Sequence, residues 1–168
     1  MKKIFHTERL LIREFDLSDA PFIIELLNSP GWLEYIGDRN VHTIEEAQNY
    51  MLNGPMKSYE SSGFGLWMVE LAEDATPIGM CGLIRRDYLE HVDIGFAFLP
   101  AFAGKGYGQE SALATVAYAK NMLSMNKLCA ITVQQNTKSI RLLQQLGMKF
   151  SKMINIPNGT ELLMLFES

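Results

Sequence analysis

A chain of 168 residues, 48% hydrophobic and 20% charged, has enough apolar material for one domain, residues 1–168, around its own core. Its formal net charge of -4 leaves no clustered excess of Lys and Arg of the kind that neutralises nucleic-acid phosphates. Cys81 and Cys129 lie in apolar strand-like runs and are expected to be buried free thiols; neither they nor His6, His42 and His91 have the spacing of a disulfide framework or a metal site.

At the N-terminus, Met1-Lys2-Lys3 is followed by the polar run His6-Thr7-Glu8-Arg9, which breaks off before the apolar stretch of a signal peptide. No apolar run approaches the ~18 residues of a membrane span. A cytoplasmic location without membrane contact is expected. Thr7 to Phe15 alternates as one strand. Ser18 is positioned to cap a helix carrying Phe22, Ile23, Leu26 and Leu27, and Asn28-Ser29-Pro30-Gly31 ends it. Trp32 to Gly37 is a short aromatic segment. Thr43 with Glu46 forms a capping box for a second helix, which Gly54-Pro55 interrupts.

Three strands follow as a meander: Phe64 to Leu71, Ile78 to Arg85 and Val92 to Leu99. Arg85-Arg86 falls at a surface turn. After Pro100 comes the glycine-rich segment Ala103-Gly104-Lys105-Gly106-Tyr107-Gly108, opening a helix from Gln109 to Met122 with Leu113, Val116, Ala117 and Met122 turned inward. Leu128 to Gln134 is a strand, and Asn136 to Leu146 a helix ended by Gly147. Met148 to Ile154 and Thr160 to Phe166 are strands joined by Pro157-Asn158-Gly159. The expected class is α/β (α+β): a mixed, mostly antiparallel sheet with helices on both faces.

The glycine segment carries the chemistry. Glycines let backbone N–H groups converge, and the helix start adds about half a positive charge, so a diphosphate is a suitable ligand. The nucleoside-triphosphate loop needs Ser or Thr after Gly-Lys, but Gly106 follows Lys105. The dinucleotide pattern needs a third glycine where Gln109 or Ser111 stands, and it belongs after a first strand.

On these residues the chain resembles the GCN5-related N-acetyltransferase (GNAT) superfamily, and within it the ribosomal-protein-alanine, Rim-type branch. The likeness runs from Thr7-Glu8-Arg9-Leu10-Leu11-Ile12-Arg13 through Asp93-Ile94-Gly95-Phe96 to Asn136-Thr137-Lys138-Ser139 and Leu146-Gly147-Met148. Gly106 and Gly108 match the superfamily's Arg/Gln-x-x-Gly-x-Gly/Ala coenzyme pattern, with Ala103 in place of its first residue. The resemblance implies acetyl-coenzyme A as cosubstrate, without a metal. It implies that Ala103, Gly104, Lys105, Gly106, Tyr107, Gly108 and Gln109 cradle the diphosphate, and that Asn136 and the backbone at Phe96 and Phe98 meet the pantetheine arm.

The transfer the resemblance implies has an amine attacking the thioester. That amine must be neutral, although alkylamines have pKa values near ~10.4 and chain-terminal amines ~8. Asp93 is the first choice of base and Glu90 the reserve. A backbone N–H near Phe98 would hold the oxyanion, and Gly95 marks either a bulge or close packing on that strand. Leu143 stands where many members carry a tyrosine acid, which leaves Ser139 to stabilise the thiolate. Trp32 and Tyr35 either line the acceptor pocket or belong to the core. The expected acceptor is a small-molecule amine or a protein N-terminus, and the chain is expected to act as a monomer or homodimer. The alternative is a catalytically weak acyl-coenzyme A sensor of the same fold, in keeping with Ala103 and Leu143.

Overall fold

A computed structural model describes residues 1–168. Eight strands form one sheet: β1 Lys3–His6, β2 Leu10–Arg13, β3 Leu66–Leu71, β4 Pro77–Ile84, β5 Val92–Phe98, β6 Leu128–Thr132, β7 Lys149–Asn155 and β8 Leu162–Glu167. Their spatial order is β1-β2-β3-β4-β5-β6-β8-β7. Every pairing is antiparallel except β5 with β6, the place where a crossover helix is required. The mixed sheet expected from sequence is present.

Two apolar clusters cover its two faces. One gathers Leu10, Ile12, Trp67, Val69, Leu83 and Ile94 under the crossover helix α5, Tyr107–Leu123, and the helix α6, Thr137–Gln145. Trp67 packs there edge-on against Phe5 and Tyr118, 5.5 Å from Tyr118 between ring centroids. The other cluster holds Phe22, Ile23, Leu26 and Leu27 of α1, Ala20–Leu27, against Met68 and Met80. It also takes Trp32 of α2, Pro30–Tyr35, and Ala47 and Met51 of α3, Ile44–Asn53.

Several local expectations need correction. The first strand is a hairpin, β1 and β2, because Thr7 to Arg9 turn the chain. Asp16, rather than Ser18, caps the turn before α1: its carboxylate accepts the Ser18 N–H at 2.9 Å. Trp32 belongs to a helix, since Pro30 at the first helical position supplies the right φ and lacks only an N–H that has no partner there. The Thr43–Glu46 capping box stands as expected. Beyond Gly54, Pro55 starts a further helix, α4, Pro55–Ser62.

The inner face of α5 also differs. Leu113 is 46% and Met122 69% exposed, whereas Ser111, Ala112, Thr115 and Ala119 are buried. Small residues let this helix approach the sheet closely. Thr115 hides its hydroxyl by donating to the Ser111 carbonyl at 2.8 Å. A hydrophobicity count overlooks such a face because half of it is polar by residue type.

Candidate active site

The parallel pair β5 and β6 is joined at two positions, Val92↔Leu128 and Asp93↔Cys129, and then parts. On its other side β5 stays in regular register with β4 from Ile84↔Asp93 to Gly79↔Phe98. Gly95 therefore forms no bulge. A Cβ there would lie 3.2 Å from Ile84 Cδ1, so the glycine serves close packing. Leu99 donates its N–H to Ile78 at 2.9 Å. By antiparallel alternation the N–H and C=O groups of Gly95 and Ala97 face β4, and those of Phe96 and Phe98 face the gap. The gap is thus walled by unpaired backbone, able to take an amide-bearing chain as a strand would.

Asp93 sits where the two strands part. Its side chain is buried, and its Oδ2 accepts from Arg86 Nε at 2.8 Å. Burial pushes the carboxyl up; Arg86 and the Ile131 backbone N–H pull it part of the way back, to about 6. Such a group is ionised at neutral pH yet basic enough to accept a proton. Arg86 is thereby a partner of the site rather than a member of a solvated basic turn.

A cavity of about 270 Å³ opens beside Asp93. Gly95 to Ala97 and Ala130 to Val133 form two of its walls, with Asn136, Ser139 and Leu143 beyond them. Trp32, Tyr35, Tyr50 and Tyr88 line it too, so both expected aromatic residues reach it. Trp32 is also part of the core, with its indole N–H buried and lacking a partner. A shallower depression of about 530 Å³ along α3 shares Arg39, Tyr50, Leu66 and Ile84 with this cavity. Glu90 is exposed and lies outside both. Asn136 caps α6, its Oδ1 accepting the Ser139 N–H at 3.2 Å.

The glycine turn lies beyond the wide end of the gap. Gly104 and Gly106 have φ of 75° and 84°, a region that residues with a Cβ rarely adopt. The backbone N–H groups from Gly104 to Gln109 donate to no protein acceptor; the next one, of Glu110, closes the helix by donating to Gly106. Consecutive free amides at the start of a 17-residue helix suit a diphosphate. A Cβ on Gly108 would lie 3.5 Å from Leu142 and 3.6 Å from Phe98, so the turn abuts the end of β5 and the helix α6. The Ala103 side chain, a methyl group, offers no polar contact.

The acetyltransferase (GNAT) domain family matches residues 9–149. The Bacillus subtilis (strain 168) protein named "Uncharacterized N-acetyltransferase YnaD" is 29% identical over 160 residues, covering 92% of this chain and 89% of that protein. An acetyltransferase (GNAT family) structure from Bacillus anthracis is 26% identical, with a TM-score of 0.76 over 96% of this chain and 94% of its own. A coenzyme A complex of RimL, a ribosomal L7/L12 alpha-N-protein acetyltransferase, superposes with a TM-score of 0.84 over 99% and 97% of the two chains. At 12% identity that likeness bears on fold. The gap, the glycine turn and the sequence match converge: this chain belongs to the GNAT acetyltransferase family, whose enzymes use acetyl-coenzyme A.

Proposed function

We propose that the protein transfers the acetyl group of acetyl-coenzyme A to a primary amine by direct attack, with a peptide N-terminus as the acceptor. The observation that carries this reading is the parting of β5 and β6 at Asp93, with free amides from Gly104 to Gln109 at the far end. The diphosphate would lie on those amides and the pantetheine arm along the open edges of Phe96 and Phe98. Asn136 and Ser139 line the cavity at the α6 side of the same gap.

Asp93 is the base. Its carboxylate takes a proton from the attacking ammonium, directly or through one water, so the nitrogen lone pair is free for the carbonyl carbon. The Phe96 N–H, the gap-facing amide nearer Asp93, stabilises the charge growing on the carbonyl oxygen. As the carbon–sulfur bond breaks, the Ser139 hydroxyl donates a hydrogen bond to the departing thiolate. Leu143 supplies no proton, so the thiolate leaves charged or takes, through solvent, the second proton that the amine nitrogen sheds as the intermediate collapses to the amide.

The continuity of the cavity with the depression along α3 supports a peptide over a compact amine, because a chain can lie there with its amine at Asp93. The Rim-type opening Thr7-Glu8-Arg9-Leu10 agrees with that choice. The test is thiol release from acetyl-coenzyme A with peptides and small amines, with product masses measured. Acetylated peptide α-amines support the reading. Thermal stabilisation by the coenzyme without turnover on any acceptor replaces it with a sensor.

A further inference from the structure

The turn between β1 and β2 lies outside the cavity yet is fastened to the first turn of α5. Thr7 Oγ1 donates to Glu110 Oε1 at 2.6 Å, and the Arg9 backbone N–H donates to the same oxygen at 2.9 Å. Arg9 Nε donates to Glu110 Oε2 at 2.7 Å, and Nη1 to the Lys105 carbonyl at 3.0 Å. The guanidinium stacks on Tyr107, 4.4 Å from the ring centroid, and a Cβ on Gly106 would lie 3.2 Å from Nη2.

With side-chain exposures of 43% and 19%, the Arg9–Glu110 pair is too solvated to count for much in folding stability. Its placement has a sharper meaning. Glu110 is the acidic residue of the first helical turn, next to the amides that face an anion. A free carboxylate suits an isolated helix start but opposes a second anion at the same end. Burial pushes the Glu110 carboxyl up, but hydrogen bonds from Thr7 and Arg9 outweigh this and hold it below its usual range. It therefore stays ionised near neutrality and needs a counter-charge.

We propose that Arg9 is a positioning residue for the coenzyme diphosphate: it holds the Gly104–Gln109 turn through the Lys105 carbonyl and the Tyr107 ring, and it cancels the Glu110 carboxylate at the anion-binding end of α5. This rests on the reading that the turn binds the diphosphate. It also accounts for a coenzyme turn without a basic residue at position 103: the guanidinium comes from the β1–β2 connection, far earlier in the chain.

The test compares acetyl-coenzyme A with acetyl-pantetheine, the same thioester without the diphosphate. Arg9→Ala is expected to raise KM for acetyl-coenzyme A about tenfold or more, and to leave kcat and the KM for acetyl-pantetheine within about twofold. Adding Glu110→Gln to Arg9→Ala should recover part of the loss, because the uncompensated carboxylate is gone. Arg9→Lys, which keeps the charge but not the fork, should recover part as well. Equal losses with both thioesters, or a double variant no better than Arg9→Ala, overturn the proposal. Wild-type protein that treats the two thioesters alike overturns the diphosphate reading itself, and this inference with it.

Discussion

The glycine turn and the cavity beside Asp93 are built from different materials. The turn is built of backbone: its free groups are amides, fixed by positive φ at Gly104 and Gly106 and by the start of α5. The cavity is a side-chain site, assembled from α2, α3, β5, β6 and α6. A backbone site tolerates side-chain exchange and fails when the main chain is forced to move. A side-chain site fails on an isosteric change of one polar group.

Asp93→Asn tests the second half of that contrast most severely. Turnover should fall about 10²- to 10⁴-fold while KM for acetyl-coenzyme A changes less, as steady-state rates would reveal. The wild-type rate should rise with pH through about 6, because only the ionised Asp93 accepts a proton, and that limb should vanish in the variant. Gly106→Val tests the first half. A β-branched residue at φ 84° is strained by ~1–3 kcal/mol, so coenzyme affinity should drop about tenfold to a hundredfold in a direct titration. Asn136→Ala removes a cap worth ~1 kcal/mol and should lower Tm by about 2–4 °C in calorimetry. The smallest effect belongs to Glu90→Gln: turnover within about twofold of wild type, since that side chain lies outside the cavity.

The same division explains what could be read in advance. Gly104, Gly106 and Gly108 were visible because a backbone site lies in consecutive residues. Asn136, Ser139 and Asp93 were candidates through the likeness to relatives. Arg86 was missed as its partner, because a basic residue on a turn looks solvated until the strand it reaches is known. Arg9 was read only as part of the opening strand because its target, Glu110, is about a hundred residues away. Arg39 and Tyr50 escaped for a similar reason: their only common feature is the space that α2, α3 and β4 leave between them. The inner face of α5 was misplaced because Ser111 and Thr115 bury hydroxyls that satisfy themselves on, or beside, their own helix.

Within the ladder of the sheet, two residue pairs, Val92↔Leu128 and Asp93↔Cys129, join the β1–β5 half to the β6–β8 half. Rungs left open there are a mechanical seam, and on the proposed reading a pantetheine chain filling them would act as mortar as well as reagent. Amide hydrogen exchange in β6 and β8 should accordingly slow on coenzyme binding, although β8 sits one strand away from the gap. Releasing the spent carrier would then require the two halves to loosen, tying the pace of product departure to the cohesion of the sheet.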